Sequence, residues 1–122
     1  MTKIIKPELV IEREILVYLN SLPHAFFWKN DTFGTYDEEL KTYRKSPNPY
    51  VIRGVSDIIG IIQGVVFLFE VKNARGVESK HQKGFRNKFS KLGGNCFVVR
   101  SVDETREILE EYEIIPPNLI TS

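Results

Sequence analysis

The stretch GVSDIIGIIQGVVFLFEVKN, residues 54–73, is the most apolar part of this chain and still carries three charged side chains. It contains two runs rich in β-branched residues, 55–62 and 65–71. Gln63-Gly64 separates them, and the glycine can supply the positive φ that a two-residue turn requires. The stretch therefore predicts a β-hairpin at the centre of a sheet.

The register of this hairpin predicts that its charges lie together. If Ile62 pairs with Val65, then Asp57 lies opposite Glu70, and Lys72 follows on the same face. Opposed residues have Cβ atoms about 4.5–5.5 Å apart, and two carboxylates at that distance destabilise each other unless a cation lies between them. The Lys72 ammonium group and a divalent metal ion with oxygen ligands are both candidates for this cation.

Two features leave this geometry open. Gly60 can mark a β-bulge, and one extra residue would turn Asp57 to the other face. E-x-K is also a common ion-pair pattern, in which Glu70 and Lys72 simply pair as the strand leaves the sheet. Apolar residues on both faces of the hairpin favour a functional interpretation, because a central strand pair offers little solvent-facing area for charges.

The order of elements predicts one mixed α/β domain over residues 1–122. The core is expected to include Phe85, Phe89 and Leu92 from one helix and Ile108, Leu109 and Tyr112 from another. Phe26, Phe27 and Trp28 are expected in the core rather than in a stacking surface. The predicted elements are a helix over 7–22, a strand over 25–30, the hairpin, a helix from the capping box at Ser79 to Gly93-Gly94, a strand over 96–100, and a helix from the Ser101 cap to Pro116-Pro117.

The polar stretch 31–53 is long for a plain connection, so it is a lid, a substrate-contacting loop or a solvent-exposed hairpin. Its basic and aromatic residues suit contact with a DNA backbone or unstacked bases, although an ordinary polar surface is an equal alternative. These residues are Lys41, Tyr43, Arg44, Lys45, Tyr50 and Arg53.

The net charge of +1 hides an uneven distribution. Residues 71–100 contain eight Lys or Arg and one acid, Glu78, whereas residues 103–113 contain six acids and one base, Arg106. A basic stripe is typical of a phosphate-backbone binder, but a solvated helix face is the alternative.

Composition excludes several classes of protein. A lone cysteine, Cys96, excludes an internal disulfide and a cysteine-rich zinc site. No segment approaches the roughly 20 apolar residues of a membrane span, so no membrane partner is expected and a cytoplasmic location is favoured. A hydrophobic content of 42% indicates a globular fold rather than disorder.

Three segments, GVSDIIG, FEVKNARGVESKHQKGF and LGGNCFVVRSVDE, resemble the VRR-NUC family (virus-type replication-repair nucleases) in its small stand-alone, phage-like form. Asp57, Glu70 and Lys72, spaced D-x(12)-E-V-K, are similar to the signature of the PD-(D/E)XK nuclease superfamily. EREILVYL, residues 12–19, resembles the first helix of archaeal Holliday-junction resolvases. Ser56 departs from the proline of many relatives. The resemblance covers nearly the whole chain and implies a restriction-endonuclease-like core, a mixed sheet flanked by helices.

The resemblance also implies the roles of site residues. Asp57, Glu70 and the backbone carbonyl of Val71 would bind Mg²⁺ or Mn²⁺, without a small-molecule cofactor. Lys72 would position or deprotonate the attacking water. Glu12 would be a further acid near the metal.

On the first helix, Glu8 lies one turn before Glu12 and is held in reserve for the metal. Gln82 matches a family glutamine that faces the active site, although it is equally the capping-box partner of Ser79. DNA contacts are expected from Lys80, Lys83, Arg86, Arg53 and Arg75.

The expected activity is a metal-dependent endonuclease that cuts branched DNA such as Holliday junctions, acting as a homodimer. A flap or single-strand nuclease and a non-catalytic DNA-binding module are the alternatives.

Overall fold

A computed structural model of the chain describes residues 4–30, 35–37, 42–44, 50, 52 and 54–116. The predicted hairpin forms the two inner strands of a four-stranded sheet with the order β1-β4-β5-β6. The elements are α1 (Glu8–Asn20), β1 (Ala25–Lys29), β2 (Thr35–Asp37), β3 (Thr42–Arg44), β4 (Ile58–Ile62), β5 (Val65–Val71), α2 (Lys80–Lys91), β6 (Asn95–Val99) and α3 (Val102–Glu111).

The predicted register of the hairpin is confirmed. Ile62 pairs with Val65, and Ile58 pairs with Phe69 at the far end of β4. Gln63 and Gly64 have φ values of 50° and 81°, the positive values that a type I′ turn requires at both central residues. The pairing of β4 with β5 is therefore regular from the turn to Ile58, the residue after Asp57.

Gly60 does not mark a bulge. It pairs regularly with Phe27 of β1 and with Phe67 of β5. A Cβ atom at Gly60 would lie 2.3 Å from the Phe27 ring, so glycine is present because this ring packs directly over the strand.

The sheet is mixed, because β1, β4 and β5 are antiparallel neighbours whereas β5 and β6 run parallel. Helices α1 and α3 pack together and cover one face of it. Alternate residues of the central strands point into this layer, as the period of two requires. The core includes Ile15, Leu19, Ile58, Ile62, Phe67, Phe69, Val99 and Leu109. The coarse prediction of one mixed α/β domain with flanking helices is thus confirmed.

On the second face, α2 packs against β6. Phe85 and Phe89 share one face of α2, as the helical spacing predicted, and stack with ring centroids 5.6 Å apart, but both are only partly buried and neither belongs to the main core. Leu92 was expected beside them, but this prediction is wrong because Leu92 is the C-cap residue and is 80% exposed. Phe26 and Trp28 were expected in the core and are instead 65% and 44% exposed, because they lie on the face of β1 that points away from α1.

Residues 35–37 and 42–44 form a separate two-stranded antiparallel sheet in which Tyr36 pairs with Tyr43. Of the three alternatives for the polar stretch, this pairing matches the hairpin. Lys41, Lys45, Arg53 and Pro117 lie outside the described residues. Within the described ranges, no helix combines the length and the apolar character needed to cross a membrane.

Candidate functional site

The two acids of the hairpin meet where the β4–β5 ladder ends. Asp57 precedes β4, and its carbonyl accepts a hydrogen bond from Asn30 N at 2.7 Å. Its Oδ2 atom accepts a second one from Val71 N at 2.8 Å. The Asp57 carboxylate therefore lies beside β5, close enough to Glu70 to raise the pKa of that residue. The predicted approach of Asp57 to Glu70 is therefore present in the structure.

Glu70 is only 2% exposed and faces another acid. Burial, the charge of Asp57 and the hydrogen bond to Asp57 together raise the pKa of Glu70 to about 9, and the charge of Lys72 opposes this rise. Lys72 Nζ lies 3.8 Å from Glu70 Oε1, and its side chain is also mostly buried. Lys72 therefore offsets only part of the cost of placing Glu70 beside Asp57.

Gln82 forms the capping box with Ser79 and contacts Glu70 at the same time. Its backbone N–H donates to Ser79 Oγ at 3.1 Å, and its Oε1 atom accepts from Ser79 N at 2.8 Å, which completes the capping box. Its Nε2 atom donates to Glu70 Oε1 at 2.5 Å. The amide has one acceptor and one donor end, so a single side chain begins α2 and holds the Glu70 carboxylate.

Gly54 fixes the segment that leads into Asp57 against α2. Its φ is 81°, and a Cβ atom there would lie 2.3 Å from the backbone of His81 and 2.6 Å from Gln82 N. Any side chain at this position would push the segment away from the helix. Asp57 and Gln82 are thus positioned by direct packing of their two backbones.

Glu12 is not brought to the acid pair. It is buried, but its Oε1 atom lies 3.3 Å from Lys29 Nζ. Lys29 alternates with the buried Phe27 along β1 and so faces α1, whereas Glu70 faces α2. The reserve residue Glu8 lies near Lys72, because a Cβ atom on Gly76 would contact both Glu8 Oε1, at 2.8 Å, and Lys72 Cδ, at 3.2 Å.

The three-carboxylate ligand set with Glu12 is therefore not assembled in this structure. Among the residues that the structure describes, no three His, Cys, Asp or Glu side chains form a group that could hold a metal ion. Asp57 and Glu70 remain as a pair, with the Val71 peptide between Glu70 and Lys72.

Arg100 fastens the turn that follows Lys72. The backbone N–H of Lys72 donates to Val99 O at 3.1 Å, which joins the end of β5 to β6. Arg100 Nη1 donates to the carbonyl of Asn73 and, at 2.8 Å, to the carbonyl of Gly76. Sequence reasoning counted Arg100 only as part of the basic stripe, since its partners are backbone atoms that no motif predicts.

Arg86, predicted to contact DNA, forms a two-point ion pair with Glu78 in this structure. Its Nε and Nη2 atoms each lie 2.9 Å from a carboxylate oxygen of Glu78. This contact holds the pKa of Glu78 below its ordinary value. The sequence analysis missed this pair. Glu78 could have indicated it, because it is the single acid among the eight basic residues of segment 71–100.

The other predicted DNA contacts are exposed. Lys80 and Lys83 lie in the first turns of α2, and Arg75 lies in the preceding turn. Lys88 and Lys91 are also exposed, at the C-terminal end of α2, where basic side chains are favourable to the helix dipole. Arg53 lies outside the described residues. The exposed residues of the basic stripe therefore lie on α2 and in the turn that precedes it.

Comparison of the chain with models of protein families, with curated proteins and with solved structures finds no match. What the acid pair can do follows from its own geometry and chemistry.

Proposed function

We propose that this domain is a metal-dependent nuclease that hydrolyses phosphodiester bonds in DNA. The observation that carries the proposal is the close approach of Asp57 to the buried Glu70 at the end of the hairpin, with Lys72 beside them. A protein that needed only a stable core would gain nothing from placing two acids together. The resemblance to the VRR-NUC family supports the same conclusion, and with it a core of the PD-(D/E)XK type.

The donor set fits Mg²⁺ or Mn²⁺. Mg²⁺ is commonly held by one or two carboxylates, with waters and substrate phosphates as its other ligands, so a third acid is not required. Asp57 and Glu70 would hold the ion, and the carbonyl of Val71 remains a predicted ligand. When bound, such an ion supplies a more acidic water and offsets negative charge on the phosphate.

The chain's own residues would supply orientation. The ammonium group of Lys72, mostly buried next to Glu70, can hold an attacking water or a phosphate oxygen. Gln82 fixes one oxygen of Glu70, and Val71 N fixes one oxygen of Asp57, so neither carboxylate is free to turn. The exposed basic side chains Lys80 and Lys83 would bind the DNA backbone beside the site.

The resemblance supports branched DNA, such as a Holliday junction, as the substrate. It also supports a homodimer, since two sites related by a two-fold axis would match the symmetry of a four-way junction.

One cleavage panel tests the proposal. Four-way, flap, single-stranded and linear duplex DNA are incubated with the wild-type chain and Mg²⁺ or Mn²⁺. We expect cleavage of branched substrates and a loss of at least about a hundredfold in Asp57→Asn and Lys72→Met, with DNA binding retained. Glu14→Gln is the matched control, because Glu14 is an exposed α1 acid paired with Lys6. Full cleavage by Asp57→Asn would overturn the proposal.

The same panel separates the alternatives. Cleavage of flaps or single strands in preference to junctions would identify a flap or single-strand nuclease. Salt-dependent binding without cleavage under either metal would identify a DNA-binding module.

A further inference from the structure

Two aromatic side chains lie exposed side by side on β1. Phe26 is 65% exposed and Trp28 is 44% exposed. Their ring centroids are 5.6 Å apart, with an interplanar angle of 53°. Because they are alternate residues of one strand, both rings lie on the same face of the sheet.

This face also carries the acid pair. Trp28 pairs with Ile59, and Ile59 pairs with Leu68. Asp57 lies two residues before Ile59, and Glu70 lies two residues after Leu68, so the row of Trp28 is next to the row of the acids. With about 4.8 Å between strands and about 3.3 Å per residue, the Cα atoms of Trp28 and Asp57 are separated by about 8 Å.

The apolar surface continues away from the acids. Phe26 pairs with Ile61, which pairs with Val66, and these aliphatic side chains are 41% and 46% exposed. An exposed row of this kind marks a binding surface more often than a scattered single residue does. Along this face the order is therefore acid pair, then the Trp28 row, then the Phe26 row.

The position of this surface indicates its occupant. A second protein copy seated on it would lie across the approach to Asp57 and Glu70, which a phosphate must reach. A nucleobase would not, because it belongs to the same strand as that phosphate. Bases within a duplex have both faces stacked on neighbours, so only an unpaired base can stack on a protein ring.

We propose that Phe26 and Trp28 form a stacking surface for unpaired nucleobases of the strand whose phosphate enters the acid pair. The inference rests on the proposed function and narrows its substrate to branched DNA whose branch point presents unpaired nucleotides beside the phosphate that is cut.

Trp28 is the single tryptophan of the chain, so tryptophan emission reports directly on this surface. The wild-type chain is titrated with oligothymidylate in chelator, which prevents cleavage, and with a duplex of equal length. We expect saturable quenching by oligothymidylate and much weaker quenching by the duplex. Phe26→Ala should weaken oligothymidylate binding about 5- to 150-fold, the range that loss of one stacking ring produces.

Leu9→Ala is the matched control, because Leu9 is 67% exposed on α1, across the sheet from Phe26. This variant should bind like the wild type. Far-UV circular dichroism confirms that Phe26→Ala keeps its fold, and Trp28→Phe, which retains a ring, should keep most of the affinity measured by anisotropy of labelled oligothymidylate.

Unchanged Trp28 emission while labelled oligothymidylate binds would overturn the stacking surface. A change in emission with protein concentration alone, together with a doubling of mass by light scattering, would place a second copy on this face and also overturn it. The proposed function is judged separately: cleavage without quenching removes only the stacking surface, and quenching without cleavage removes only the nuclease.

Discussion

Glu12 in α1 and Glu70 in β5 are both buried glutamates, 8% and 2% exposed, but their neighbours have opposite charges. Glu12 lies 3.3 Å from the ammonium group of Lys29, whose side chain is 45% exposed to solvent. Glu70 contacts the carboxylate of Asp57, and its nearest ammonium group lies 3.8 Å away. The carboxylate of Glu12 therefore has a cation as its partner. The carboxylate of Glu70 has a second acid beside it and, within the described part of the chain, lacks a cation at the same short distance.

This difference separates a structural acid from a functional one better than burial does. A buried glutamate with a lysine partner is stable in its ionised form and requires no further ligand. A buried glutamate beside an aspartate must hold a proton or bind a cation. On this physical ground the metal ion of the proposed function is assigned to Glu70 and Asp57, and not to Glu12.

The largest expected effect comes from replacing each glutamate by its neutral isostere. Glu70→Gln should reduce metal-dependent cleavage by at least about a hundredfold, since it removes one of two carboxylate ligands. Glu12→Gln should retain most of the activity and lower the free energy of unfolding by only about 0.2–1 kcal/mol, because Lys29 is partly exposed. Cleavage rates and urea unfolding measure both.

Equal losses of cleavage in Glu70→Gln and Glu12→Gln would contradict the comparison. They would mean that Glu12 leaves Lys29 and joins the acid pair when metal and DNA bind.

A smaller effect is the pH-dependent stability that the raised pKa of Glu70 should produce. The pKa of Glu70 is about 9 in the folded chain and 4.5 in a free side chain. Between these values the folded state keeps a proton that the unfolded state releases. The free energy of unfolding in chelator should therefore fall as the pH rises from about 4.5 to about 9, by up to about 1.4 kcal/mol per pH unit.

Thermal unfolding measured across this range gives the slope. Glu70→Gln should flatten it. Adding Mg²⁺ or Mn²⁺ should raise the melting temperature most at high pH, because the ion then replaces no proton. A wild-type stability that rises from pH 5 to pH 8 in chelator would contradict the environment assigned to Glu70.

The sequence predicted the features that depend on neighbouring residues. The two-residue turn at Gln63-Gly64 sets the register, and the register brings Asp57 to Glu70. Features that depend on distant residues were not predictable in this way. Gly60 could have been a bulge, and the glycine is explained only by the neighbouring strand β1, whose Phe27 ring and Phe26 carbonyl oxygen leave no room for a Cβ atom.

The same limit explains the predictions that were wrong. Phe26 and Trp28 look like core residues in sequence, because the alternation of a strand does not reveal which sheet face a helix will cover. Arg86 looks like a free cation of the basic stripe, because the pattern does not show that its side chain turns back to Glu78. Glu12 has the spacing of a ligand, but packing of α1 on β1 places Lys29 beside it.

The smallest expected effect concerns Arg86 and Lys83 of α2. As with Glu12 and Glu70, one of the two has a close partner of opposite charge among the described residues and the other does not. Arg86 is paired with Glu78 through two contacts of 2.9 Å, whereas Lys83 is exposed. A charge already neutralised by the protein releases few counterions from DNA. Lys83→Ala should therefore reduce the salt slope of binding by about 1, the value for one phosphate contact, and Arg86→Ala should leave it nearly unchanged.

Arg86→Ala should act instead on stability, because it leaves Glu78 without its partner beside the start of α2. The double variant Glu78→Gln with Arg86→Ala should recover part of that loss, since the unpaired carboxylate is removed with the arginine. Binding of a labelled four-way junction at several salt concentrations, with urea unfolding of the same variants, measures both effects. A salt slope reduced by about 1 in Arg86→Ala would show that the guanidinium leaves Glu78 for a phosphate when DNA binds, and the contrast with Lys83 would then fail.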